Sequence, residues 1–233
     1  IRPSQTETVI LKRGSGLLGG EVVYTPPRGK QIIEEKLNNL IDYINDDLKY
    51  PYDPLIKIAI SHYQFEAIHP FRDGNGRAGR ILSILLMIQK QLLNVPILYL
   101  SAYIIREKDE YYELLKNVTT MRGWNPWIIY MLRAIEETSK YTISKIEEID
   151  RLFTRTTKLV AEKHPSIRKE FIEKLFEQPY ISPKSLLDSN LKSLNTAKKY
   201  LTQLEEIGIL VSEKIGKEKV YLNIDLYNIL SES

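Results

Sequence analysis

A dodecapeptide, His69-Pro70-Phe71-Arg72-Asp73-Gly74-Asn75-Gly76-Arg77-Ala78-Gly79-Arg80, separates two apolar helical patterns and constrains this chain more than any other feature. Upstream, Leu55, Ile58, Ala59, Phe65, Ala67 and Ile68 form the apolar face expected of a helix that follows Pro54. That helix must end near His69, because Pro70 disfavours helical backbone in the residue before it. Downstream, Ile81 to Leu93 is apolar nearly all round, which predicts a central, buried helix. The peptide is therefore a short loop held between two helices, closing on a helix that begins at about Arg77.

The rest of the chain reads as mainly α with two small β elements. Val9 to Lys12 and Glu21 to Tyr24 read as two short strands separated by a glycine-rich stretch with Gly14, Gly16, Gly19 and Gly20, so residues 9–26 predict a surface hairpin ended by Pro26 and Pro27. Ile33, Leu37, Leu40, Ile41 and Ile44 predict an amphipathic helix over about residues 30–48. Further helices are expected from about Glu107 to Met121 and from Pro126 to about Glu162, the second with a break or bend. From residue 166 the pattern changes: a helix over Ile167 to Phe176, a second opened by Ser182-Pro183, and a third capped by Asn195 that runs to Gly208. Two strands, Ile209 to Val211 and Val220 to Leu222, flank a turn at Ile215-Gly216-Lys217. This order predicts a winged helix-turn-helix module. The layout expected is a helical domain over residues 1–140, a linking helix over 141–165 and the winged module over 166–233.

Composition sets outer limits. The chain has 233 residues, 43% of them hydrophobic, enough for a packed core without staples. It has no cysteine, which excludes disulfides, thiolate metal sites and cysteine nucleophiles, and a reducing cytoplasm is the expected location. No apolar run is long enough to cross a bilayer. A formal charge of +3 names no partner. The first residue is Ile1, and an upstream segment is expected to be missing.

The loop can do chemistry. Gly74-Asn75-Gly76 at a helix entrance turns successive N–H groups inward, and the first-turn N–H groups of the helix join them, forming an anion nest from Gly74 through Arg80 that includes Ala78 and Gly79. Arg77 and Arg80 share one face of that turn and can grip phosphates with charge-assisted hydrogen bonds. Asp73, just before the nest, would repel phosphate unless a divalent cation such as Mg2+ lies between them. The His69 imidazole, with a solution pKa of about 6.5, can accept a proton from an attacking hydroxyl. Phe71 is expected to point into the domain as a rigid anchor for the loop.

Together these positions, His-Pro-Phe-x-Asp-Gly-Asn-Gly-Arg-x-x-Arg, resemble the signature of Fic-domain proteins, most of which transfer AMP from ATP onto protein hydroxyls. The resemblance implies His69 as base, Phe71 as anchor, Asp73 as magnesium ligand, Gly74 to Gly76 as phosphate nest, and Arg77 and Arg80 as polyphosphate clamp. Gly19 to Pro27 is similar to the family's flap, so Val22, Val23 and Tyr24 would pair with a segment of the target protein. Asp109-Glu110-Tyr111-Tyr112 resembles the segment at the nucleoside end, which makes Tyr111 and Tyr112 adenine neighbours. Many members carry an inhibitory helix that engages the second arginine; Ser144 to Ile149, Ser166 to Phe171 and Thr202 to Ile207 each lack its final Gly or Asn, so Arg80 is expected to be open to ATP.

Alternatives stand beside this reading. His62, Glu66 and His69 follow helical spacing and could hold a metal on one face, or His62 and Glu66 could form a hydrogen-bonded pair beneath the loop. The enzyme could move another phosphate-linked group or remove AMP, or the chain could be a DNA-binding regulator that senses nucleotide. For the C-terminal module, Lys192, Lys198, Lys199, Lys214, Lys217 and Lys219 are candidate phosphate contacts. Yet residues 165–233 balance ten Lys and Arg against ten Asp and Glu, leaving no basic field to attract DNA. Self-modification and a homodimer are both compatible with the sequence.

Overall fold

The computed structural model describes residues 1–2, 10–12, 21–187, 193–216 and 218–231, with the backbone alone of 10–12 and 21–23. Gly14, Gly16, Gly19, Gly20, Lys192 and Lys217 lie outside the described residues. The chain divides into two compact units, Ile1–Thr142 and Ile143–Ser233.

In the first unit, β1 (Ile10–Lys12) pairs antiparallel with β2 (Glu21–Tyr24), with an irregularity between Ile10 and Leu11. Helices α1 (Lys30–Asn45), α2 (Pro54–Ile68), α3 (Asn75–Gln89), α4 (Leu100–Arg106) and α5 (Lys108–Met121) follow. The long α6 (Trp124–Lys163), whose residues from Ile143 on belong to the second unit, has no break where a break or bend was expected. α2 starts as its sequence dictates, with Pro54 in its first turn and Asp53 Oδ1 accepting from Leu55 N–H at 2.8 Å. It ends at Ile68, as Pro70 requires.

The central buried helix is α2, not α3. Besides Ile58, Ala59, Phe65, Ala67 and Ile68, α2 buries Lys57, Ser61, His62 and Glu66. α3 is two-faced: Gly79, Ser83, Leu86 and Met87 are buried, while Ile81 (58%) and Leu85 (54%) are exposed. Apolar content alone misplaced the centre because Lys57 and His62 of α2 find polar partners in the fold, which lowers the cost of burying them. Lys57 Nζ, for example, reaches Asp47 Oδ1 at 2.6 Å. The core around α2 is completed by Ile33 and Leu40 of α1, Tyr103 and Ile104 of α4, Leu115 and Val118 of α5, and Trp127, Tyr130 and Met131 of α6.

The second unit holds α7 (Lys169–Glu177), β3 (Tyr180–Ile181), α8 (Leu194–Glu206), β4 (Val211–Ile215), β5 (Glu218–Leu222) and α9 (Ile224–Ser231). Its sheet has the order β3-β5-β4, all antiparallel. Sequence periodicity is too short to announce β3 and α9. Ser182-Pro183 opens a turn rather than a helix, with the Ser182 hydroxyl oxygen accepting from Ser185 N–H at 3.2 Å. The cap of α8 is Ser193, whose Oγ accepts from Thr196 N–H at 3.3 Å, two residues before the expected Asn195. Ile167, Phe171, Ile172, Leu175, Leu201, Leu204, Leu210 and Tyr221 form this unit's own core.

Candidate active site

The loop runs from the end of α2 to the start of α3. His69 is the C-cap of α2 in left-handed backbone (φ 48°), a conformation that costs a non-glycine residue roughly 1 kcal/mol or more. Three hydrogen bonds hold it there. Its N–H donates to the Phe65 carbonyl at 3.0 Å, Arg2 Nε donates to the His69 carbonyl at 2.8 Å, and Arg2 N–H donates to the Pro70 carbonyl at 2.8 Å. The buried Arg2 guanidinium also binds the Pro27 carbonyl, tying the segment after the hairpin to the loop. Nothing in the sequence marked Arg2, since its partners are carbonyls far along the chain.

The middle of the loop is closed by Asn75. Its Oδ1 accepts from Phe71 N–H at 2.8 Å and its Nδ2 donates to the Phe71 carbonyl at 2.9 Å, a reciprocal clip around Arg72, Asp73 and Gly74. Asn75 is 2% exposed. Phe71 does not plug the core: it is 41% exposed, with its ring 6.1 Å from that of Phe65. The anchoring expected of Phe71 thus falls to the Asn75 side chain, because a polar clip can satisfy backbone groups that a phenyl ring cannot.

Gly74 caps α3 at φ 80°. A Cβ there would lie 3.4 Å from Arg77 Nη2, and one on Gly76 would lie 3.1 Å from Arg80 Nη1. Both guanidinium groups therefore fold back over the first turn of α3, where the helix's initial N–H groups lack intrahelical acceptors. Arg77 also meets Asp73 Oδ2 at 3.5 Å, with both side chains largely exposed. Nests of N–H groups flanked by two guanidinium groups favour an anion with several oxygens. Ala78 continues the turn, its N–H bound to the Gly74 carbonyl at 2.9 Å.

The base candidate sits in a mixed environment. Burial pushes the His69 imidazole below its usual pKa and Arg2 adds to this, while the Glu66 carbonyl opposes it. Its Nδ1 is buried and makes no hydrogen bond of good geometry, which leaves Nε2 as the nitrogen able to receive a proton.

His62 and Glu66 do not form the pair expected beneath the loop. His62 Nδ1 lies 3.0 Å from Ser83 Oγ, and Ser83 Oγ donates to the Gly79 carbonyl at 3.0 Å, so Nδ1 carries the proton. Nε2 then accepts from the Tyr111 hydroxyl, 3.1 Å away. Burial lowers the His62 pKa to about 4, so the ring is neutral. Among the described residues no group of three His, Asp or Glu side chains could hold a metal, so the candidate site on His62, Glu66 and His69 does not form.

Tyr111 is a core residue and not an exposed pocket wall. It is 6% exposed, its hydroxyl is committed to His62, and its ring packs on Trp127 and Tyr112, so it is core and cannot line a nucleoside. Tyr112 is half-buried and feels the charges of Glu66 and Arg80. Of the flap residues, β2 carries Val22, Val23 and Tyr24 in strand form, and the Tyr24 ring packs against the first core.

The Fic/DOC family matches residues 5–87, a span that contains the whole loop. A second family, described as the C-terminal domain of SoFic-like protein adenylyltransferases, matches residues 152–226. Among curated proteins, protein adenylyltransferase fic-1 of Caenorhabditis elegans is 31% identical over 110 residues, 47% of this chain and 20% of that protein. Its namesake in Caenorhabditis briggsae is 31% identical over 113 residues, 48% of this chain and 21% of that protein. Protein adenylyltransferase Fic of Nematostella vectensis is 29% identical over 112 residues, 48% of this chain and 25% of that protein. The chain thus spans a fifth to a quarter of the length of these relatives. A crystal structure of a Fic family protein from Desulfovibrio desulfuricans G20 is 19% identical with a TM-score of 0.49, covering 91% of this chain and 59% of that one. One family's match thus encloses the loop and the other's covers most of the second unit: the chain carries a Fic/DOC domain followed by a SoFic-like C-terminal domain.

Proposed function

We propose that this protein transfers AMP from ATP to a side-chain hydroxyl of a target protein. The observation that carries the proposal is the placement of two guanidinium groups over the N-terminal turn of α3, with a left-handed His69 at the facing end of α2. ATP would lie with its β- and γ-phosphates on the N–H groups of residues 75–77 and on Arg77 and Arg80. The target hydroxyl oxygen bonds to the α-phosphorus as the bond to the β-phosphate oxygen breaks, and pyrophosphate leaves. His69 Nε2 takes the hydroxyl proton; a neutral imidazole at pH 7 is the competent form, which agrees with its lowered pKa.

Magnesium fits the donor set only in one way. Asp73 is a single exposed carboxylate at the mouth of the cradle, and this ion typically takes one or two carboxylates, waters and substrate phosphate oxygens. Asp73 would hold it, and bound there it would neutralise charge on the phosphates. Among the described residues β2 has a strand partner on one edge, and we read its other edge as the receiver of an extended target segment. The acceptor is then chosen by backbone pairing and not by side-chain pockets. No described helix is long and apolar enough to cross a membrane.

The test is labelling of a cell lysate with ATP that carries a label on its α-phosphate. His69→Ala should lower labelling by about a hundredfold or more while ATP binding persists. Undiminished labelling by the variant would refute the assignment.

A further inference from the structure

Beneath the cradle lies a carboxyl that the reaction above does not use. Glu66, on the last turn of α2, is 6% exposed, and no hydrogen bond reaches its Oε1. A buried oxygen left without a partner costs free energy to keep there. α3 crosses directly above it: a Cβ on Gly79 would stand 2.5 Å from Oε1, so glycine is what admits the carboxyl at this crossing. One turn earlier, a Cβ on Gly76 would stand 3.9 Å from Oε1 and 3.1 Å from Arg80 Nη1. Carboxyl and guanidinium thus approach the same point on α3, and the positive charge of Arg80 acts on the carboxyl.

The positive charge of Arg80, on α3, acts on Glu66, whose own charge acts on Tyr111 and Tyr112 of α5. Along its own helix lie His62, neutral and committed to Ser83 and Tyr111, and His69 at the end. Burial raises the Glu66 pKa to about 7, with Arg80 opposing the rise.

We propose that Glu66 is a positioning residue that works by proton exchange: its carboxylate is the counter-ion of Arg80 while the cradle is free, and it takes up a proton when a polyphosphate claims the guanidinium. This rests on the cradle being a polyphosphate site. Two anions sharing one guanidinium in a poorly solvated place cannot both stay charged without penalty, and the carboxylate is the weaker acid of the two. The proton comes from solvent, and no other bond is made or broken. Glu66 thereby sets Arg80 in place before nucleotide arrives, then ceases to compete with it.

Two consequences are measurable. Binding draws protons from the buffer, and affinity falls as pH rises, by about fivefold from pH 7 to pH 8 for a group titrating near 7. The experiment is calorimetric titration of the full chain with magnesium and an ATP analogue bearing a methylene between the α- and β-phosphorus, at pH 7.5, in buffers of low and high ionisation enthalpy. The wild type should take up more protons than Glu66→Gln, by about half a proton or more per nucleotide. Glu66→Asp should restore the uptake, which a purely structural role for the side chain would not predict. The analogue and His69 titrate alike in all three proteins, so their contributions cancel. Equal uptake and equal pH slope in wild type and Glu66→Gln would overturn the proposal while leaving the cradle standing, as would zero uptake by the wild type. Failure of every protein to bind the analogue would overturn the cradle reading, and this one with it.

Discussion

Replacing Asn75 by alanine tests how the active loop is held. Its side chain makes two hydrogen bonds to one residue, at 2.8 and 2.9 Å, and both disappear with the amide. Each is worth about 1 kcal/mol net, and the two Phe71 backbone groups left behind add a desolvation penalty unless water reaches them. Phe71 is 41% exposed, so water can reach those groups and the penalty is small, and the expected loss of folding stability is about 2 kcal/mol. The effect on transfer should be larger. With the clip gone, Asp73 and the cradle glycines shift relative to His69, and a displacement of about 1 Å commonly costs a hundredfold in rate. Phe71→Ala should do less on both counts, because its half-exposed ring gives up little buried surface. Urea unfolding and initial rates of AMP transfer, run on both variants, make the comparison. If Asn75→Ala lies within about 0.5 kcal/mol of wild type while Phe71→Ala is the crippled protein, the loop is plugged by the ring and the clip is incidental.

Two further perturbations probe the α2–α3 crossing. Gly79→Ala places a methyl 2.5 Å from Glu66 Oε1, so overpacking of about 1–3 kcal/mol should outweigh the helix-propensity gain of about 1 kcal/mol. Adding Glu66→Ala should relieve the clash, and strictly additive losses in the double-mutant cycle would disprove the contact. The same crossing holds two groups whose pH effects oppose. His62, lowered from 6.5 to about 4, contributes stability that is present above pH 6.5 and lost as pH falls toward 4. Glu66, raised from 4.5 to about 7, contributes stability present below pH 4.5 and lost as pH rises through 7. Each span corresponds to about 3 kcal/mol, so wild-type stability should vary little between pH 4.5 and 6.5. Glu66→Gln should then unmask a loss toward acid and His62→Gln a loss toward alkali; urea midpoints that move the same way in both variants would refute this.

How much of the fold could be read from sequence depended on whether the signal was local. Pro70 ended α2, the glycines of the loop opened α3, and the Val-Val-Tyr run bounded by Gly20 and Pro26 gave β2, because each rests on local residue preferences. Burial was harder. The run from Ile81 to Leu93 looked like the centre, yet α2 holds that place with Lys57, His62 and Glu66 inside. Periodicity weighs what a side chain is, whereas burial depends also on whether Asp47, Ser83 or Tyr111 stands ready to receive it. Tyr111, read as an adenine neighbour from the likeness of Asp109 to Tyr112, turns out to commit its hydroxyl to the buried His62.

The loop shows the same division more sharply. Every position we propose to bear chemistry between His69 and Arg80 is visible in twelve consecutive letters, because the proposed nest, clamp and base are read from residue type and spacing. What keeps them in place is not in those letters. His69 holds a left-handed backbone that an isolated peptide would leave, since the penalty exceeds RT and one hydrogen bond to Phe65 barely offsets it. Arg2 supplies two more bonds to the carbonyls of His69 and Pro70, from 67 residues away in the case of His69. Gly79 matters for what lies below it, and Glu66 answers to an arginine fourteen positions on. The motif is thus a list of reagents, and the catalytic geometry is a tertiary property imposed on it from α2, from the segment before the hairpin and from the packing of α5.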